Sequence, residues 1–115
     1  MMYIRDKKID KKKDFSRVTL DGDLDKVGLD NVRADLDSFL AASETQNFVL
    51  DLTDLQFINS EGVGYLLTIH YRLLKRDMKL VLVGAKSHVK DVLDVIGMLS
   101  IVTYFETFEL FEKSL

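Results

Sequence analysis

The stretch Phe57-Ile58-Asn59-Ser60-Glu61-Gly62-Val63-Gly64 gathers a hydroxyl, a carboxamide, a carboxylate and two glycines in one short run. Such groups can serve acyl transfer, cradle a phosphate or offer a hydroxyl for modification. Acyl transfer at a strand-to-helix elbow needs glycine two residues before the serine, and Ile58 stands there. It also needs a base, and neither His70 nor His88 is placed by spacing to act as one. Gly62 and Gly64 form a GxG, but neither GxGxxG nor GxxxxGK[ST] occurs. The simpler reading is that both glycines let a first helical turn approach a neighbouring backbone. With two histidines, no cysteine and no HExxH, the chain has no metal-ligand pattern, and no cofactor is expected. His70 reads as a packed histidine on an apolar helix face and His88 as a solvated one in a first turn. Asp51, Asp54 and Glu61 are types suited to acid–base work, yet they read as surface acids at a strand–loop junction. Two roles remain for Ser60. It can cap the helix that follows, satisfying an orphan N–H. It can also be phosphorylated, because a helix N-terminus tolerates a phosphate.

The elements around this run follow from apolar periodicity. Met2–Ile4 and Phe15–Leu20 are strand-like and flank the lysine cluster Lys7, Lys8, Lys11, Lys12 and Lys13, which predicts a β-hairpin with a solvated turn. Asp23 or Asp25 can cap a helix carrying Val32, Leu36, Phe39 and Leu40. Phe48–Leu52 is a compact strand. Val63, Leu66, Leu67, His70, Leu73 and Leu74 mark one face of the next helix, with Tyr65, Thr68 and Arg72 on its exposed side. Lys79–Gly84 is nearly all apolar, as a strand buried on both faces would be. Ser87 is the expected N-cap of a helix with Val89, Val92, Leu93 and Ile96, closed by Gly97. Ile101–Phe105 predicts a last strand and Phe108–Phe111 a terminal amphipathic helix. The order ββαβαβαβα defines an α/β domain with a partly parallel sheet and an antiparallel start.

Composition narrows the function classes. The chain of 115 residues is sized for one domain, with 47% hydrophobic and 30% charged residues, as in ordinary globular proteins. Its net charge of −3 supplies no field for nucleic acid or anionic lipid. The charged N-terminal residues lack a signal peptide's apolar core, and no apolar run can span a bilayer. Together with the absence of cysteine, this predicts a cytoplasmic protein that neither binds nucleic acid nor inserts into membranes.

Nearly the whole chain resembles the STAS domain, in particular the bacterial anti-sigma factor antagonists. Leu20-Asp21-Gly22-Asp23-Leu24-Asp25 resembles that family's G-[ED]-L-D turn into the first helix. Phe48–Leu52 followed by Phe57–Gly64 resembles its strand and DSSG junction, and Lys79–Gly84, Val89–Ile96 and Gly97-Met98-Leu99 resemble its late strand, helix and ending. The resemblance implies a single STAS domain over 1–115, with a hairpin at about 1–21 and a switch junction at about 57–64. The sheet would be mixed, of four to five strands, with helices mainly on one face. It implies that Ser60 is phosphorylated by a partner that is both anti-sigma factor and serine kinase, of the histidine-kinase-like ATPase type. The unphosphorylated form would bind that partner and release a sigma factor, and a serine phosphatase would reset it. The protein would then be a substrate and ligand, not an enzyme. The binding surface would comprise Asn59, Ser60, Glu61, Gly62, Val63 and Gly64, with Tyr65 and Thr68, and Asp23 and Asp25 from the earlier turn. Asn59 stands where the family has aspartate and Glu61 where it has a second serine. These departures keep open a non-switching STAS scaffold or accessory subunit of a larger complex. A small-ligand module rests on Gly62 and Gly64 alone.

Overall fold

Parallel crossovers that all step the same way across a sheet leave their helices on one side of it, because each crossover takes the same hand. The computed structural model, which describes all 115 residues, has this arrangement. Its strands are β1 (Tyr3–Asp10), β2 (Phe15–Leu24), β3 (Asn47–Ile58), β4 (Lys79–Val83) and β5 (Thr103–Phe105). They lie in the order β1-β2-β3-β4-β5, the first pair antiparallel and the rest parallel. Helices α1 (Lys26–Ala42), α2 (Ser60–Leu74) and α3 (Ser87–Ile96) make the crossovers, and a 3-10 turn (Met98–Ser100) leads into β5. A last helix, α4 (Phe108–Lys113), follows β5. The chain is thus a single α/β domain with a five-stranded mixed sheet. No helix is long and apolar enough to cross a membrane.

Alternation along the central strands builds two unequal cores. Val18 and Leu20 of β2, Phe48, Leu50 and Leu52 of β3, and Leu80 and Leu82 of β4 join the larger one, with Leu36 of α1, Leu66 of α2 and Leu93 of α3. The opposite face carries Phe15, Val49, Val81 and Val83, covered by Phe111 of α4. Phe15 meets the Phe108 and Phe111 rings edge-on at 5.3 and 5.7 Å, a favoured aromatic geometry. Burial on both faces explains the unbroken apolar run of β4. The helices therefore lie mainly, but not wholly, on one face.

Several expectations shift. Only Lys11, Lys12 and Lys13 occupy the hairpin turn; Lys7 and Lys8 stand on β1, the exposed edge strand, where lysines discourage unwanted pairing. The first strand extends well past Ile4, and β3 runs to Ile58. Leu74, expected in the core, is 50% exposed: it lies one residue round the helix from buried Leu73 and faces solvent. Leu67 is half-buried. Ser87 is the first helical residue of α3 and Lys86 its N-cap, with no side-chain capping bond. Gly97 closes α3 at φ 85°, a left-handed conformation in which glycine has no Cβ penalty. Ile96 is exposed, and β5 begins only at Thr103.

Candidate functional site

Strands β2, β3 and β4 run parallel, so their C-terminal ends and the N-termini of α1, α2 and α3 share one edge of the sheet. Leu24 pairs with Ile58, and the Asn59 N–H donates to the Leu24 carbonyl at 3.4 Å. This register sets the Asp23–Asp25 turn beside the Asn59–Ser60 junction. Both helices that start there are capped alike. Asp25 Oδ1 accepts from the Gly28 N–H at 2.8 Å, and Asn59 Oδ1 from the Gly62 N–H at 3.2 Å. Of the two capping candidates in the earlier turn, Asp25 holds the role and Asp23 remains within β2.

Ser60 is consequently not the cap. It is the first residue of α2, exposed, and its hydroxyl makes no hydrogen bond within the chain. Glu61, also exposed, lies in the first turn, where a carboxylate complements the helix dipole. Ser60, Glu61, Gly64, Tyr65 and Thr68 of α2 and Leu29 and Arg33 of α1 line a shallow groove of about 440 Å³. No histidine lines it.

The other expected surface residues divide by exposure. Thr68 is exposed, and Asn59, Asp23 and Asp25 are half-buried. Gly62 and Val63 are buried. A Cβ at Gly62 would lie 2.3 Å from the Leu24 carbonyl oxygen, whereas one at Gly64 meets nothing within 4 Å. Close approach therefore explains Gly62 and not Gly64. Tyr65 is only 3% exposed, contrary to its expected place on the outer face. Its ring packs toward α1, its hydroxyl donates to Asp37 Oδ1 at 2.5 Å, and Arg72 reaches the same oxygen at 3.2 Å. Burial, then the Asp37 carboxylate, pushes the Tyr65 phenol well above its ordinary value. The Arg33 guanidinium lies 5.0 Å from the Tyr65 ring centroid. Arg33 and Asp37 belong to no motif; only the packing of α1 against α2 brings Arg33 to the groove and Asp37 to the Tyr65 hydroxyl.

The acids beyond the junction do not form a pair with Glu61. Asp51 is buried, on the sheet face that α4 covers. Its Oδ2 accepts from Arg17 at 2.5 Å, and its Oδ1 from the Thr53 N–H at 3.0 Å and hydroxyl at 2.5 Å. It is thus no surface acid. Asp54 pairs with Arg5 at 3.1 Å. His70 is buried, as its helical position implies, and His88 is exposed with Nε2 2.5 Å from the Gln56 carbonyl oxygen. No group of three or more metal-ligating side chains occurs.

Residues 6–111 match the STAS domain, and the chain belongs to that family. An anti-sigma F factor antagonist from Paenibacillus polymyxa is 27% identical over 89 residues, 77% of this chain and 76% of that protein. An anti-sigma factor antagonist from Mycobacterium paratuberculosis superposes with a TM-score of 0.80 at 18% identity, over 95% of this chain and 89% of that one. The phosphorylated form of the Bacillus cell fate determinant SpoIIAA superposes with a TM-score of 0.67 at 16% identity, over 100% of both chains. At these identities the two structures establish the fold.

Proposed function

We propose that this chain is an anti-sigma factor antagonist that works as a phosphorylation-controlled binding switch in the cytoplasm. Its unphosphorylated form binds an anti-sigma factor that is also a serine kinase of the histidine-kinase-like ATPase type, releasing a sigma factor. The kinase transfers the γ-phosphoryl group of ATP to Ser60 Oγ, with ADP leaving and the hydroxyl proton lost. The added charge, roughly −1.5 to −2, then dissolves the complex. A serine phosphatase hydrolyses the ester and resets the switch. The chemistry belongs to the partners, and this domain is their substrate.

The observation that carries the proposal is the free Ser60 hydroxyl at the first residue of α2, relieved of capping by Asn59. The Paenibacillus relative's name and the phosphorylated state of the Bacillus neighbour support the same reading. The partner face is the groove rim, with Ser60, Glu61, Gly64 and Thr68 presented outward. Asn59, Asp23 and Asp25 shape its edge, and buried Gly62, Val63 and Tyr65 support it from beneath.

The test is partner capture from lysate of the native organism. Ser60→Ala should retain the partner and Ser60→Asp should lose it, with phosphate mapped to Ser60 by mass spectrometry after incubation with ATP. Equal capture by both variants, in a stoichiometric complex that ATP does not dissolve, would instead identify a STAS scaffold. Glu61, which adds a charge beside Ser60, is the feature that favours that second reading.

A further inference from the structure

Of the five arginines, four have their guanidinium groups committed. Arg5 pairs with Asp21 and Asp54, Arg17 with Asp51 and Arg72 with Asp37, while Arg76 donates to the Leu40 and Ser43 carbonyls. Arg33 alone makes neither a hydrogen bond nor an ion pair, and it is exposed. Its i+4 neighbour Asp37 is paired elsewhere, its Oδ1 accepting from both Tyr65 and Arg72. Arg33 is nevertheless positioned, since its guanidinium rests over the Tyr65 ring. Stacking uses the planar face of a guanidinium and leaves its edge of N–H donors available, the geometry that suits phosphate oxygens.

Arg33 and Ser60 line the same groove. Along α2, Gly64 lies about one turn from Ser60, roughly 6 Å further down the axis. No atom of the facing helix stands within 4 Å of where a Gly64 Cβ would be, so the groove that Ser60 and Arg33 share is open at that turn. Glu61 is the one carboxylate lining this groove, and it repels a phosphate on its neighbour. A cation on the facing helix offsets that repulsion.

We infer that Arg33 is the receptor for the phosphate of phosphoserine 60, drawing it into the α1–α2 groove; this rests on Ser60 being the modified residue. Arg33 acts as a positioning residue. With the phosphate clamped there, the groove holds an added bulky, charged group, and a partner that seats there meets a different surface.

The test needs no kinase. Phosphoserine is installed at position 60 during translation, and its second ionisation is followed by phosphorus NMR in the wild-type background, in Arg33→Gln and in Arg33→Lys. An adjacent cation lowers a phosphate's pKa, so the wild type should titrate about one unit below Arg33→Gln, with Arg33→Lys between them. Superimposed titrations of the wild type and Arg33→Gln would overturn the clamp. Partner capture by Ser60→Asp is scored separately. Lost capture alongside superimposed titrations would remove Arg33's role and leave the switch. A lowered pKa alongside undiminished capture would do the reverse.

Discussion

The Asn59 side-chain oxygen accepts the Gly62 N–H at 3.2 Å, and this bond leaves the neighbouring Ser60 hydroxyl without a structural duty. The cap and the modifiable group are thereby separate residues. Asn59→Ala should cost about 1 kcal/mol in urea denaturation, the usual loss for an N-cap, while Asn59→Asp retains the acceptor and should stay within about 0.5 kcal/mol. Ser60→Ala should also lie within about 0.5 kcal/mol of wild type, since it removes no hydrogen bond made within the chain. A loss above 1 kcal/mol in Ser60→Ala would show that its hydroxyl caps the helix after all.

The two glycines of the junction should respond oppositely to one methyl group. At Gly62 the added Cβ would press on the Leu24 carbonyl and on the Leu24 and Ile58 side chains, so Gly62→Ala should destabilise by about 2 kcal/mol. At Gly64 the space is open and the position is helical, so Gly64→Ala should stabilise by about 1 kcal/mol through helix propensity. The same variant narrows the groove beside Ser60 and should weaken partner capture despite its higher melting temperature. Melting curves with a pull-down separate these effects; unchanged capture would move the partner's contact away from Gly64.

Tyr65 ties α2 to α1 through Asp37, and its hydroxyl is the part of that tie most easily removed. Tyr65→Phe should cost about 1.5 kcal/mol, in the range for a hydrogen bond to a charged group, because Asp37 keeps Arg72. The variant should also change the alkaline limb of the stability profile. The phenol is raised in the folded state from an ordinary value of 10.0, so above that pH the unfolded chain loses the proton while the folded chain keeps it. Stability from this group is complete below pH 10 and falls as pH rises toward the folded value. Between pH 10 and 11 the wild type should therefore lose stability more steeply than Tyr65→Phe, as urea midpoints would report. Parallel slopes would mean that Tyr65 ionises as readily folded as unfolded.

Periodicity made the order of elements legible, because β3, β4 and the Val63–Leu66–Leu73 stripe of α2 each bury a continuous apolar set. What it missed has physical reasons. A serine before a helical stripe reads as an N-cap, yet Ser87 is the first helical residue, and of the two roles open to Ser60 the cap falls to Asn59. Helical period separates a core face from an outer one, but it does not reveal a second helix alongside; Tyr65 therefore read as exposed although it packs toward α1. The stretch Thr53–Gln56 of β3 carries one apolar residue, Leu55, among polar ones, and it is a strand because the irregular second half of β2 pairs with it, Asp21 with Asp54 and Gly22 with Leu55. Arg33 had no signal of any kind, since its meaning lies in what the other arginines are bonded to.

Asp51 reads from sequence as a surface acid because its partner Arg17 is distant in the chain, yet it is buried and carries the largest stability effect expected here. Its carboxylate stands on the face covered by α4, away from the groove, with Arg17 on one oxygen and Thr53 on the other. The Arg17 guanidinium is partly buried and lies 3.7 Å from the Phe108 ring centroid, so it cannot turn fully to water when its partner is removed. Breaking a buried pair by deleting one member leaves an uncompensated charge, which costs far more than the intact pair contributes. Asp51→Ala should therefore destabilise by about 3 kcal/mol, and Asp51→Asn, which keeps an acceptor for Thr53, by about half as much. Because the site lies across the sheet from Ser60, partner capture per folded molecule should be unchanged in both variants. Denaturation combined with capture at a temperature where each variant is folded checks both halves. A loss under 1 kcal/mol in Asp51→Ala would mean that Arg17 finds solvent, and that the pair is a surface contact.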